Sequence, residues 1–199
     1  LKEHSTIILA SGSPRRRELL ERMGVRDFAV LSPDVDERLE EGQPPSAQVE
    51  LLSQRKAQAA AAQAGPDALI IAADTVVALD GAILGKPADR EEAFRMLSTL
   101  SGVRHQVYTG VTVRRGERAL TRHQVTSVDF RPLEGEEIEQ YIATGECMDK
   151  AGAYGIQGYG ALLIEGISGD YYNVMGLPVG LLAQMLKEFG VDCLALAAQ

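Results

Sequence analysis

Three short segments carry residue types that could handle a phosphate. Ser11-Gly12-Ser13-Pro14-Arg15-Arg16 sets two hydroxyls and two guanidinium groups where a strand turns into a helix. Backbone N–H groups at a helix N-terminus favour an anion. Arginine adds a planar fork of donors that matches phosphate oxygens. Alone, the run reads equally as a capped helix with exposed arginines, and it has neither P-loop nor dinucleotide-fingerprint spacing. Asp74 follows the apolar run Ala68–Ala73, at the end of a strand buried on both faces, where α/β proteins place ligands. A strand-ending turn residue is the plain alternative. Asp34, Asp36 and Glu37 offer hard oxygen ligands suited to Mg²⁺ or Mn²⁺, or simply a solvated loop. Lys56 and Lys86 are cations whose positions say little singly.

Other chemistries are poorly supported. His4, His105 and His123 show no metal-ligand spacing, and the Gly-x-Ser-x-Gly signature of a serine hydrolase is missing. Cys147 and Cys193 form neither a zinc pattern nor a disulfide framework and read as reduced thiols of a cytoplasmic protein. The net charge of −8 opposes nucleic-acid binding, despite Arg15-Arg16-Arg17 and Arg114-Arg115. A phosphate site in such a chain must concentrate its cations locally, helped by a metal ion. These residues lead to a phosphate-handling α/β protein, with or without a metal ion, and do not choose the reaction.

The elements that must position these groups can be read from periodicity. Ile7–Ala10 is a short buried strand; Ser13 caps the next helix, Pro14 takes its first position, and Gly24 stops it. Phe28–Leu31 reads as a strand, and Ser46 as the cap of a long helix reaching about Ala64. Asp80-Gly81 signals a hairpin, and Asp89 with Glu92 a capping box. Alternation over Val107–Val113 and Val125–Phe130, around Arg115-Gly116, predicts a long antiparallel pair. Glu134–Thr144 is a helix, Asp149–Gly160 a glycine-rich loop, Ala161–Ile164 a strand, and Pro178 opens the last helix. The pattern is α/β with a mixed sheet. The 199 residues, 45% hydrophobic and 24% charged, suit one domain or two tightly joined lobes. No apolar run approaches the roughly 20 residues of a membrane helix. Leu1–Ser5 and the short apolar run after it do not read as a signal peptide.

Six separated segments, in order, resemble the Maf family of nucleotide pyrophosphatases. They are Leu9–Arg16, Ala73-Asp74-Thr75-Val76-Val77, Gly85-Lys86-Pro87, Leu100-Ser101-Gly102, Asp149–Gly158 and Asn173-Val174-Met175-Gly176-Leu177-Pro178. The resemblance runs from about residue 7 to 190 and implies that residues 1–199 form a single domain of that kind. It implies the fold of inosine triphosphatase-like proteins: a long mixed β-sheet with flanking helices and two lobes around a deep cleft. It also implies hydrolysis between the α- and β-phosphates, a divalent cation (Mg²⁺ or Mn²⁺), and a homodimer.

Residue roles follow from the same resemblance. Asp74 matches the general base. Ser11, Arg16, Lys56 and Lys86 match phosphate-site residues. Glu37 matches an acidic residue tied to metal and catalysis, a place Asp36 could also take. Arg15, Thr75 and Gln157 match the branch acting on dTTP and UTP; the branch acting on 7-methyl-GTP has Trp, Gln and Glu there. An amide such as Gln157 can both donate to and accept from a pyrimidine edge. Cys147 stands where the family usually has Pro. The competing readings are a nucleotide-binding regulator of cell division with little hydrolysis, a nucleic-acid-binding domain, and an enzyme whose main substrates are modified pyrimidine nucleotides.

Overall fold

The computed structural model describes residues 6–198. Leu1–Ser5, and His4 with them, lie outside the described residues. Seven strands form one mixed sheet. They are β1 Ile7–Leu9, β2 Phe28–Val30, β3 Leu69–Leu79, β4 Ala82–Leu84, β5 Arg104–Arg115, β6 Arg118–Phe130 and β7 Ile164–Ser168. The order is β2-β1-β3-β5-β6-β7, with β4 on β3. β1 runs parallel to β2 and β3, and the other ladders are antiparallel. The helices are α1 Pro14–Arg22, α2 Pro45–Ala61, α3 Arg90–Leu100, α4 Gly135–Ala143, α5 Tyr171–Met175, α6 Val179–Glu188 and α7 Cys193–Ala197. The α/β class with a long mixed sheet is therefore as the sequence indicates.

The long strands β3, β5 and β6 run through two apolar cores, one at each end. Leu9, Leu19, Leu20, Ile71, Val113 and Leu182 belong to one core. Val77, Leu97, Val107, Phe130 and Ile142 belong to the other. A smaller cluster joins α2 (Ala57, Ala60) to the sheet face carrying Ile8, Ile70 and Ala72.

Local chemistry explains most boundaries, and also the departures. Ser13 caps α1 with Pro14 in its first turn, and the Asp89 side chain accepts from Glu92 N at the start of α3. The cap of α2 lies two residues before the expected Ser46: Pro44 is the N-cap without a side-chain bond, and Pro45 opens the helix. A proline fits there because its φ is already helical and first-turn N–H groups lack partners anyway. α2 ends at Ala61 rather than near Ala64. The strand expected over Ala161–Ile164 is a 3₁₀ turn over Tyr159–Leu163, and β7 begins only at Ile164. Carboxylate oxygens of Glu146 accept the N–H groups of Tyr159 and Gly160, which draws that segment out of the sheet. The helix opened by Pro178 is not the last; Asp192 caps α7 through the N–H groups of Leu194 and Ala195.

The largest departure concerns β3. The apolar run suggests an end at Ala73, but the strand continues to Leu79, and Asp74 lies inside it. On one edge β3 is paired with β5 from Ile70 to Ala78. On the other, β1 pairs as far as Ile71 and β4 only from Val77. The edge between those neighbours is open, and it spans Asp74 and Thr75. A polar residue can sit inside a buried strand here because the sheet has a notch beside it.

Candidate active site

The notch opens into a cleft of two adjoining cavities. The larger, about 430 Å³, is bordered by Thr75, Val76, Val77, Val107, Tyr154 and Gln157, among others. The smaller, about 320 Å³, is bordered by Ser11, Gly12, Ser13 and Ser32. Arg15, Arg16, Glu37, Lys56, Lys86 and Asp149 border both. Asp74 borders the larger. Each of the nine residues given a role by the resemblance thus borders one cavity or both, whereas Asp34 and Asp36 border neither.

Alternation along β3 explains how neighbours serve different sides of the cleft. Asp74 shares a face with Ile70 and Ala72, which pack against α2; Thr75 points to the other face, with Ile71 and Ala73. α2 lies close to the sheet at Gly110, the β5 residue opposite Asp74. A Cβ at Gly110 would lie 2.3 Å from the Val49 carbonyl oxygen, so only glycine permits this approach. The closeness lets Lys56 Nζ reach Asp74 Oδ1 at 2.6 Å and Glu37 Oε1 at 2.8 Å. Two of its three N–H groups serve carboxylates, and the third is left for the cleft.

Glu37, not Asp36, faces the cleft. Asp36 turns back onto Arg38, with contacts of 2.6 to 2.9 Å, and that hydrogen bonding pulls its carboxyl down to about 2. Glu37 is held below its ordinary value first by the hydrogen bond from Lys56, against a smaller opposing effect of burial. The loop bearing Glu37 has no regular structure and is tied to α2. Arg55 Nη1 donates to the carbonyls of Asp36 and Arg38, and Gln48 exchanges hydrogen bonds with the backbone of Glu40.

Arg16 joins three elements. Its Nε donates to the Gly176 carbonyl at 2.7 Å, Nη1 to Ser11 Oγ at 3.2 Å and Nη2 to Thr75 Oγ1 at 3.0 Å. Burial lowers its affinity for a proton, while the Asp74 carboxylate raises it; an arginine remains charged throughout. Gly176, at φ 111°, caps α5 in the left-handed region, and its carbonyl receives Arg16. Thr75 Oγ1 is also 2.9 Å from Thr109 Oγ1, which donates to the Asn173 carbonyl. The fully buried Asn173 side chain donates to the Val107 carbonyl and Thr126 Oγ1. A continuous polar chain therefore runs from Arg16 through β3 and β5 to α5.

Arg15 Nη1 lies 3.3 Å from Asp149 Oδ2, a contact across the cleft mouth. Asp149 also holds Lys150 Nζ at 2.7 Å. Sequence reasoning assigns no individual role to Asp149, Tyr154, Ser32, Thr109 or Asn173. Asp149, Tyr154 and Asn173 fall within the motif segments; Ser32 and Thr109 carry no local signal. Among the described residues, no group of three or more His, Cys, Asp and Glu side chains gathers as a metal cage, and no helix is long and apolar enough to cross a membrane.

Comparison with known proteins gives the family of the chain and the fold it shares. The family model described as Maf-like protein matches residues 6–189. A dTTP/UTP pyrophosphatase of Symbiobacterium thermophilum is 54% identical over 184 residues, covering 92% of this chain and 94% of that protein. One of Moorella thermoacetica is 52% identical over 191 residues, covering 94% and 97%. A HAM1 protein from Coxiella burnetii superimposes with a TM-score of 0.51 at 16% identity, covering 93% of this chain and all of that one, which shows the shared fold. By the family model and by these relatives, the chain belongs to the Maf-like protein family.

Proposed function

We propose that this protein hydrolyses dTTP and UTP between the α- and β-phosphates, releasing the nucleoside monophosphate and pyrophosphate. The observation that carries the reading is the cleft itself. A cavity walled by Arg16, Lys56, Lys86 and the Ser11–Ser13 turn adjoins a part-apolar one bordered by Tyr154, Val107 and Gln157, and Asp74 borders the larger. Near-complete coverage by relatives named dTTP/UTP pyrophosphatase supports the substrate.

In the reaction a water oxygen bonds to the α-phosphorus, the bond to the bridging oxygen breaks, and pyrophosphate leaves. Asp74 takes the water's proton and aligns the attack. Arg16 has two of its five N–H groups uncommitted; with Lys86 and the third N–H of Lys56 they balance charge on the phosphate oxygens. Gln157 meets the base edge, and Arg15 stands at the mouth.

The donor set fits a hard divalent cation. Asp74 and Glu37 already converge on one cation, the Lys56 ammonium, and each keeps a second carboxylate oxygen. Mg²⁺ is commonly held by one or two carboxylates plus substrate phosphates and water. A cation held by Asp74 and Glu37 would supply further neutralisation of phosphate charge. Buried, unpaired thiols at Cys147 and Cys193 support a cytoplasmic setting. Assembly as a homodimer rests on the resemblance.

Asp74→Asn is the direct test. Lys56 keeps Glu37, and an amide oxygen replaces the lost acceptor, so the fold should survive while turnover of dTTP with Mg²⁺ falls by at least about 10². Near-normal turnover would remove Asp74 as the base. A triphosphate panel assayed for pyrophosphate release tests the substrate: a preference for 7-methyl-GTP over dTTP and UTP would overturn it.

A further inference from the structure

The loop carrying Gln157 is held by a carboxylate outside the cleft. We propose that Glu146, with Tyr141, is a positioning residue for base recognition, acting by clamping the Gly155–Gly160 turn that presents Gln157; this rests on Gln157 being the group that meets the base. Glu146 Oε1 accepts the Gly160 N–H at 3.0 Å and Oε2 the Tyr159 N–H at 2.8 Å. The buried Tyr141 hydroxyl donates to Oε1 at 3.0 Å and accepts the Gly155 N–H at 3.2 Å. The two side chains therefore fix both ends of the turn, Gly155 on one side of Gln157 and Tyr159–Gly160 on the other. Lys150, which borders the larger cavity, donates from Nζ to the Glu146 carbonyl at 2.6 Å and adds a backbone anchor to the clamp.

The fit leaves no slack. A Cβ at Gly158 would lie 2.0 Å from Glu146 Oε2, so the chain closes directly over the carboxylate. Hydrogen bonds to an ionised acceptor are short and about twice as strong as neutral ones. A clamp of this kind holds a rigid turn, which an exposed glutamine needs if it is to discriminate bases. Neither Glu146 nor Tyr141 borders the cavities. Their effect must pass through the turn.

The test compares Glu146→Gln, Tyr141→Phe, Gln157→Ala and the double variant Glu146→Gln/Gln157→Ala. The measurements are pyrophosphate release from dTTP and GTP, and amide hydrogen exchange over Gly155–Gly160. Glu146→Gln should raise KM for dTTP about tenfold with kcat nearly unchanged, the loss expected of one hydrogen bond, and lower the dTTP-to-GTP preference equally. Tyr141→Phe should act in the same direction and covers a failure of Glu146→Gln to fold. Exchange in the turn should quicken in both. In the Gln157→Ala background, Glu146→Gln should change selectivity less than about twofold. Unchanged exchange, or a full additive loss in the double variant, overturns the clamp. If Gln157→Ala leaves selectivity intact while exchange quickens, base reading by Gln157 is what fails, and the positioning role falls with it.

Discussion

Replacing Lys56 by Met should destabilise the protein, and removing Asp74 as well should restore much of what is lost. Lys56 and Asp74 side chains are only 13% and 12% exposed and meet at 2.6 Å. Taking one partner from a buried pair costs about 3–5 kcal/mol, since the other charge stays buried and uncompensated. Glu37, 56% exposed, is largely screened by water and adds little. The Asp74 side of the contact, not fully dry, then sets the loss at about 2–3 kcal/mol. For a chain of this length each kcal/mol moves Tm by about 2–4 °C, so Lys56→Met should melt about 4–12 °C lower. Lys56→Met/Asp74→Asn should recover more than half of the drop, because no unpaired buried carboxylate remains, while staying inactive. The chain has no tryptophan, so melts are followed by far-UV circular dichroism, with urea titrations to check that the m-value is unchanged. A double variant no more stable than Lys56→Met would refute the argument from an uncompensated charge.

Three further outcomes can be checked in parallel. Glu37→Gln should raise the Mg²⁺ concentration needed for half-maximal activity by about tenfold and Asp36→Asn by less than twofold, since only Glu37 faces the cleft; equal effects in a Mg²⁺ titration would contradict the placement. Thr75→Val removes the acceptor of Arg16 Nη2 and should lower kcat/KM for dTTP by about tenfold, with Tm within a few degrees of the parent in the same melts. His105, fully buried against Phe130 and 2.8 Å from the Tyr154 hydroxyl, is pushed by burial down to about 4. The unfolded chain protonates it first, so stability is complete above about pH 6.5 and falls by about 3 kcal/mol as pH drops from 6.5 to 4. His105→Gln should flatten that part of the urea-unfolding pH profile, and an unaltered profile would show that His105 does not cause it.

Features that depend on neighbours in sequence can be read from the chain alone. The Ser13 cap with Pro14, the Asp89 cap, the Asp80-Gly81 hairpin and the alternating β5 and β6 pair rest on local chemistry and period, and the structure contains each. The candidate residues are legible there too, but Arg15, Thr75 and Gln157 acquire an expected role only because widely spaced motifs resemble those of a known family in order. Tertiary structure decides what distances in sequence cannot. The apolar run suggests an end to β3 at Ala73; only the unequal reach of β1 and β4 shows that a polar residue can lie mid-strand beside an open edge. The choice between Asp36 and Glu37 turns on which carboxylate Lys56 can reach from α2. Arg16, expected simply to bind phosphate, also ties Ser11 to Thr75 and to Gly176, 160 positions away. Caps and turns are settled by side chains reaching their own backbone a few residues away. The cleft depends on how closely α2, β3 and the Gly176 turn approach one another, which no local pattern encodes.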